Sequence, residues 1–205
     1  MNLLECLVAI AISLILLAPL IRNSGELISK QITYEKTQAL VQDADRALEL
    51  IGRSIHMAGY QNQDSFFQGG KKSSSDTEFL KIQKSVGFRG SDSLLVKHQL
   101  SRGIDLDCIG NVLTAERTKQ SLAIQGFLVE RQASAPKGQR VNGGSLICLS
   151  LDRQGRLQNT TLMSGVNHLA IEELDARVFR IKLEMTDGAF IQREFERTFT
   201  TRNLL

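Results

Sequence analysis

Tryptophan is absent from this chain, tyrosine occurs twice, and aromatic residues make up 5% of its 205 positions. Few flat side chains remain on which unpaired bases could stack, so a platform for single-stranded nucleic acid is not indicated. The formal charge is +3 and the isoelectric point is near 8.8, a mild basicity that does not by itself call for nucleic acid. No Gly-x-Ser-x-Gly turn and no Cys-x-x-Cys pair is present, and His56, His98 and His168 fall at no metal-ligand spacing. The glycines before Lys71 do not make a phosphate loop, because Ser65 stands where Gly is needed and Lys72 where Ser or Thr is needed. Asp105 and Asp107 alternate as on one strand face, but no further acidic residues follow at calcium-loop spacing, and a solvated pair is expected. No internal repeat breaks the chain into units. The expectation is a protein without catalysis, cofactor or metal.

What the chain does have is one long apolar run. From Leu3 to Ile21 nearly every side chain is apolar, and Glu5 is the one charged residue before Arg22. Nineteen residues at about 1.5 Å each give roughly 28 Å of helix, close to the hydrocarbon thickness of a bilayer. A carboxylate inside such a segment is costly, by roughly 2.5–3.5 kcal/mol near the centre, and it calls for a partner even near the end. The nearest candidate is a free α-amino group, that of Met1 or of a neighbouring subunit. A secretory signal would carry Lys or Arg before the apolar run and a small-residue cleavage site after it. A plain membrane anchor would need no Glu5.

Beyond Ile21 the pattern continues as a helix over about residues 2–57. Leu40, Ala44, Ala47, Leu48, Ile51 and Ile55 recur at spacings of three and four and so share one face. Pro19 removes a backbone donor and is expected to kink or loosen the helix, and Ala58-Gly59 supplies a stop. After Gly59 the composition changes to short alternating runs, 79–82, 93–98, 122–129, 145–151, 166–171, 177–185 and 190–200, which read as strands. Asp152-Arg153-Gln154-Gly155 and Thr186-Asp187-Gly188 mark turns, and 68–75 and 133–144 read as loops. The fold class is therefore α+β. An N-terminal helix, residues 1–58 with a transmembrane part at about 3–21, packs its amphipathic half on an antiparallel sheet head, residues 59–205. Of the three cysteines, Cys6 lies in the apolar run and reads as a small buried hydrophobe. Cys108 and Cys148 fit one disulfide in an oxidising compartment, the alternative being two unrelated thiols.

Met1, Asn2, Leu3, Leu4 and Glu5, followed by the long apolar helix, resemble the mature N-terminus of type IV pilin-like proteins. That family starts with an aromatic residue or Met, then a polar residue, two apolar residues and Glu. Asn2 stands where Thr or Ser is usual, and on this resemblance the numbering begins at the processed residue. The stretch from Asp45 to Tyr60 resembles PilW-type minor pilins, as do Ser91-Asp92-Ser93-Leu94-Leu95-Val96, Asp107-Cys108-Ile109-Gly110, Ser145-Leu146-Ile147-Cys148 and the ending Arg202-Asn203. The resemblance implies the pilin fold and a minor pilin that helps initiate assembly of a type IV pilus and sits at or near its tip. The implied partners are other minor pilins and the major pilin through the N-terminal helix, the inner membrane before assembly, and a tip adhesin. The head would lie in the periplasm and later on the cell surface. Glu5 and Met1 are then the assembly residues, with Met1 open to N-methylation. J-type minor pseudopilins of type II secretion share the architecture and are the alternative. A reading of a different class is a DNA- or ligand-binding module on a simple anchor. It would use the basic residues Lys71, Lys72, Lys81, Lys84 and Arg89, whose default role is a solvated face.

Overall fold

The computed structural model describes residues 3–62, 78–118, 122–132 and 143–203. One helix, α1, spans Leu3–Met57 and runs unbroken through Pro19. The chain divides into two compact units, Met1–Val41 and Gln42–Leu205. The second unit, here called the head, thus takes in the last sixteen residues of α1.

Among the described residues the sheet has seven strands: β1 (Leu80–Gln83), β2 (Ser93–Gln99), β3 (Leu122–Arg131), β4 (Gly144–Leu151), β5 (Leu157–Asp175), β6 (Val178–Thr186) and β7 (Gln192–Thr200). They pair antiparallel in sequence order, β1 to β7. The α+β expectation holds at this level. Both marked turns fall between strands, Asp152–Gly155 before β5 and Asp187-Gly188 before β7. The Asp187 carboxylate accepts the N–H groups of Ala189, Phe190 and Ile191, each at 2.9 Å, and this ties the second turn.

β5 is longer than its pattern suggests. Residues 157–166 pair with β4, and residues 166–175 pair with β6. Its first half, Leu157-Gln158-Asn159-Thr160-Thr161, carries little apolar alternation, so the sequence signal starts only at Val166. Beyond Val166 the edge vacated by β4 is taken by Ser91 and Asp92: the Asp92 N–H donates to the Leu169 carbonyl at 2.8 Å, and the Leu169 N–H donates to Ser91 Oγ at 3.2 Å.

The sheet is two-faced. On β6, Phe179, Ile181, Leu183 and Met185 are buried, while Arg180 and Lys182 between them bond Glu172 and Glu196 on the neighbouring strands. The buried stripe of α1 was legible: Leu40, Ala44, Ala47, Leu48, Ile51 and Ile55 are all buried. Full burial of each Leu or Ile contributes about 1.5–3 kcal/mol. Gly59, at φ +73°, ends the helix as expected. The end of the chain secures the same turn: His56 Nδ1 lies 2.6 Å from the Thr200 carbonyl oxygen, and Asn203 Nδ2 donates to the His56 carbonyl at 3.0 Å.

Gly52 has a reason of its own. A Cβ there would overlap the ring of Phe199, which lies against the helix at this point. Elsewhere inside a helix, Gly→Ala gains about 1 kcal/mol. Here Gly52→Ala is expected to lower head stability by about 1–3 kcal/mol through overpacking. Phe199→Leu should absorb part of that loss in the double variant. A denaturation curve for Gly52→Ala that moves to higher midpoint would disprove the packing.

Candidate functional site

The first turn of α1 carries Glu5 as its acidic residue, where the helix dipole favours negative charge. Met1, the other expected assembly residue, lies outside the described residues. Along this stretch the apolar side chains are exposed: Leu3 is 81% exposed, Leu7 60% and Leu16 62%. Ser13, the other polar residue of this stretch, is satisfied inside the helix, its hydroxyl donating to the Ala9 carbonyl at 2.8 Å. Cys6, expected as a buried hydrophobe, is exposed with the rest and stays outside the disulfide. The helix is long and apolar enough to cross a membrane, and none of its most apolar window is buried.

Cys108 and Cys148 are joined as a disulfide with Cα atoms 6.2 Å apart. The bond ties the connection between β2 and β3 to the central strand β4. That connection is ordered by polar groups as well. Asp107 is 5% exposed, and its Oδ1 accepts the N–H groups of Ile109 at 3.0 Å and Asn111 at 2.7 Å. Its Oδ2 faces Arg117 Nη2 at 3.5 Å, and Arg117 also donates to the carbonyls of Val112 and Leu151. Asp105 instead accepts the Ser101 hydroxyl at 2.8 Å. The two aspartates therefore do not converge, and among the described residues no acidic, His or Cys cluster is arranged to hold a metal.

The five basic residues singled out from the sequence have different settings. Lys71 and Lys72 lie outside the described residues. Lys81 is exposed on β1. Lys84 is bound to Asp92 Oδ2 at 3.0 Å and to the Ile171 carbonyl. Arg89 bonds Asn167 Oδ1 and stands 5.2 Å from the Phe88 ring centroid. Two of the five charges are thus engaged within the head.

Asp92 was read only as part of a family pattern, and its role emerges from the fold. It is 6% exposed, and its carboxylate accepts Lys84, the Ser85 N–H at 3.0 Å and the Ile171 N–H at 2.8 Å. Burial works to raise this carboxyl, but the Ile171 N–H, Lys84 and the Ser85 N–H outweigh it and hold it below its ordinary 3.8. Lys84 and Ser85 are near in sequence, but Ile171 is 79 positions away on β5, and no local spacing marks that contact.

Comparison with protein families, characterised proteins and solved structures gives no match for this chain.

The geometry yields two stability predictions. The disulfide closes a loop of sequence separation 40. Replacing both cysteines by serine should cost about 4 kcal/mol on the chain-entropy model, read as a lower urea midpoint with a non-reducing control. For Asp92, the folded carboxyl is the stronger acid. The unfolded chain then binds more protons below about pH 4. The stabilisation is complete above that pH and is lost as pH falls through the depressed folded value. Asp92→Asn should therefore lose about 1.5–3 kcal/mol at neutral pH and show a flatter acid limb. Parallel acid limbs in variant and wild type would remove Asp92 from this role.

Proposed function

We propose that the chain is a minor pilin: a membrane-anchored subunit, without catalysis of its own, that helps initiate a type IV pilus and remains at or near its tip. The observation that carries the reading is a carboxylate at the fifth position, in the first turn of a 55-residue helix whose apolar opening is wholly exposed. Lipid covers such a surface before assembly, and the helices of neighbouring subunits cover it afterwards. Glu5 then meets the α-amino group of a neighbour. In low dielectric the attraction is strong but desolvation offsets much of it, so the pair sets register more than it adds stability. The resemblance of the opening residues and of the head segments to PilW-type minor pilins supports the same reading, as does the disulfide, which belongs to an oxidising compartment such as the periplasm. In this reading the N-terminal helix contacts other minor pilins and the major pilin, and the head faces a tip adhesin. Lys84 and Arg89, two of the basic residues that a DNA-binding role would use, are paired within the head with Asp92 and Asn167.

Minor pseudopilins of type II secretion share these features, and deletion separates the two. Loss of surface fibres assigns the pilus, and exoproteins retained in the periplasm assign secretion. Glu5→Ala should leave the head folded and the chain in the membrane, yet reduce its recovery in fibres or in minor-subunit complexes about tenfold, the equivalent of ~1.4 kcal/mol. Glu5→Leu should anchor at least as well and assemble no better. Wild-type incorporation of either variant would reduce the segment to an anchor.

A further inference from the structure

A recess of about 180 Å³ opens in the head beside the last turns of α1, against the connection between β2 and β3. Its floor is polar and nearly closed to solvent: Ser54 is 5% exposed, Gln125 6% and His98 2%. Ser54 Oγ donates to Gln125 Oε1 at 2.9 Å, and Gln125 Nε2 donates to the Leu106 carbonyl at 3.0 Å. With its proton committed, the Ser54 hydroxyl offers the recess lone pairs. His98 Nδ1 lies 3.0 Å from the Gln99 carbonyl oxygen. A carbonyl only accepts, so Nδ1 carries a proton, and whenever the ring is neutral Nε2 carries a lone pair. Among the described residues His98 makes no other hydrogen bond.

The remaining surroundings have the same sense. Asp105 lines the recess with a carboxylate whose Oδ1 accepts the Ser101 hydroxyl and whose Oδ2 accepts the Ser101 N–H, leaving each oxygen a second lone pair. Arg53, the cation at this place, is paired with Glu49 at 3.0 Å. The apolar walls include Ile104 and Leu106, which are 79% and 47% exposed. An imidazole lone pair, a hydroxyl and a carboxylate facing a small space call for a donor, and the walls call for an apolar stem. A carboxylate or phosphate ligand would meet acceptors.

We propose that this recess receives a lysine or arginine side chain of a partner protein, its stem against Ile104 and Leu106 and its cationic head among His98 Nε2, Ser54 Oγ and Asp105. That the partner is a fellow subunit rests on the assembly reading. The chemistry of the recess does not. His98 and Asp105 then set specificity by accepting hydrogen bonds, and a partner presenting Glu at the same place is rejected.

The test uses the full chain in detergent micelles, with the imidazole carbon–proton resonances of its three histidines followed by NMR in mildly alkaline buffer. The probes are Nα-acetyl-lysine amide and Nα-acetyl-arginine amide, against Nα-acetyl-norleucine amide and Nα-acetyl-glutamate amide. A saturable millimolar response at His98 to at least one cationic probe, exceeding the response to norleucine and glutamate probes, supports the site. Asp105→Asn should weaken it roughly tenfold with His56 and His168 unmoved. No saturable response to either cation, or an equal or greater response to the norleucine or glutamate probe, overturns the proposal on the wild-type chain alone. A Glu5→Ala chain should respond as wild type does, so failure here and failure of the assembly reading remain distinct.

Discussion

One helix has to satisfy two surroundings, and the rest of the molecule follows from that. In α1, Ala44, Ala47, Ile51 and Ile55 are fully buried in the head, while none of the apolar window near its start is buried. Soluble monomers do not leave an apolar face of this extent in water. The first part of α1 is long and apolar enough to cross a membrane, and the last part is held by the chain itself. The head is built around that second task. Phe199 lies over Gly52, Thr200 and Asn203 bond the final turn at His56, and Arg197 reaches Asp45 at 2.8 Å. The last strand thus follows the helix for three turns, and the end of the chain closes on the end of the helix.

How much of this the sequence discloses depends on the range of the signal. The buried stripe of α1, the stop at Gly59 and the strands β2, β3, β4, β6 and β7 rest on spacings of two to four residues, and they were legible. The first half of β5 was not, because Gln158, Asn159, Thr160 and Thr161 owe their strand to pairing with β4 rather than to their own alternation. Lys84 and Arg89 read as surface charge because Asp92 and Asn167, which hold them, come together only in the folded head. The recess beside His98 was equally hidden. His98 was one scattered histidine until the fold brought Ser54, Gln125 and Asp105 around it. Glu5, by contrast, stands out in the sequence because a charge in an apolar run needs no partner in view to be conspicuous.

Several of the hidden contacts centre on polar groups, Asp92, Asp107, His98 and Gln125, buried in a head that has no tryptophan to fill its core. Asp92 satisfies the β5 edge that β4 leaves open, and Asp107 with Arg117 orders the connection that the disulfide ties down. Burying such charges costs desolvation that their contacts only partly return, so their main effect is to select one arrangement of the loops over others. On the proposed assembly role, in which the helix associates through nonspecific apolar contact, that selectivity matters. In that role the helix would sit against any similar helix, and Glu5 would set only its register along the axis. Which neighbour is accepted would then be decided by head surfaces held in one conformation. Asp107 and Arg117 lie on the segment from Ser101 to Arg117, which through Ile104, Asp105 and Leu106 also bounds the recess.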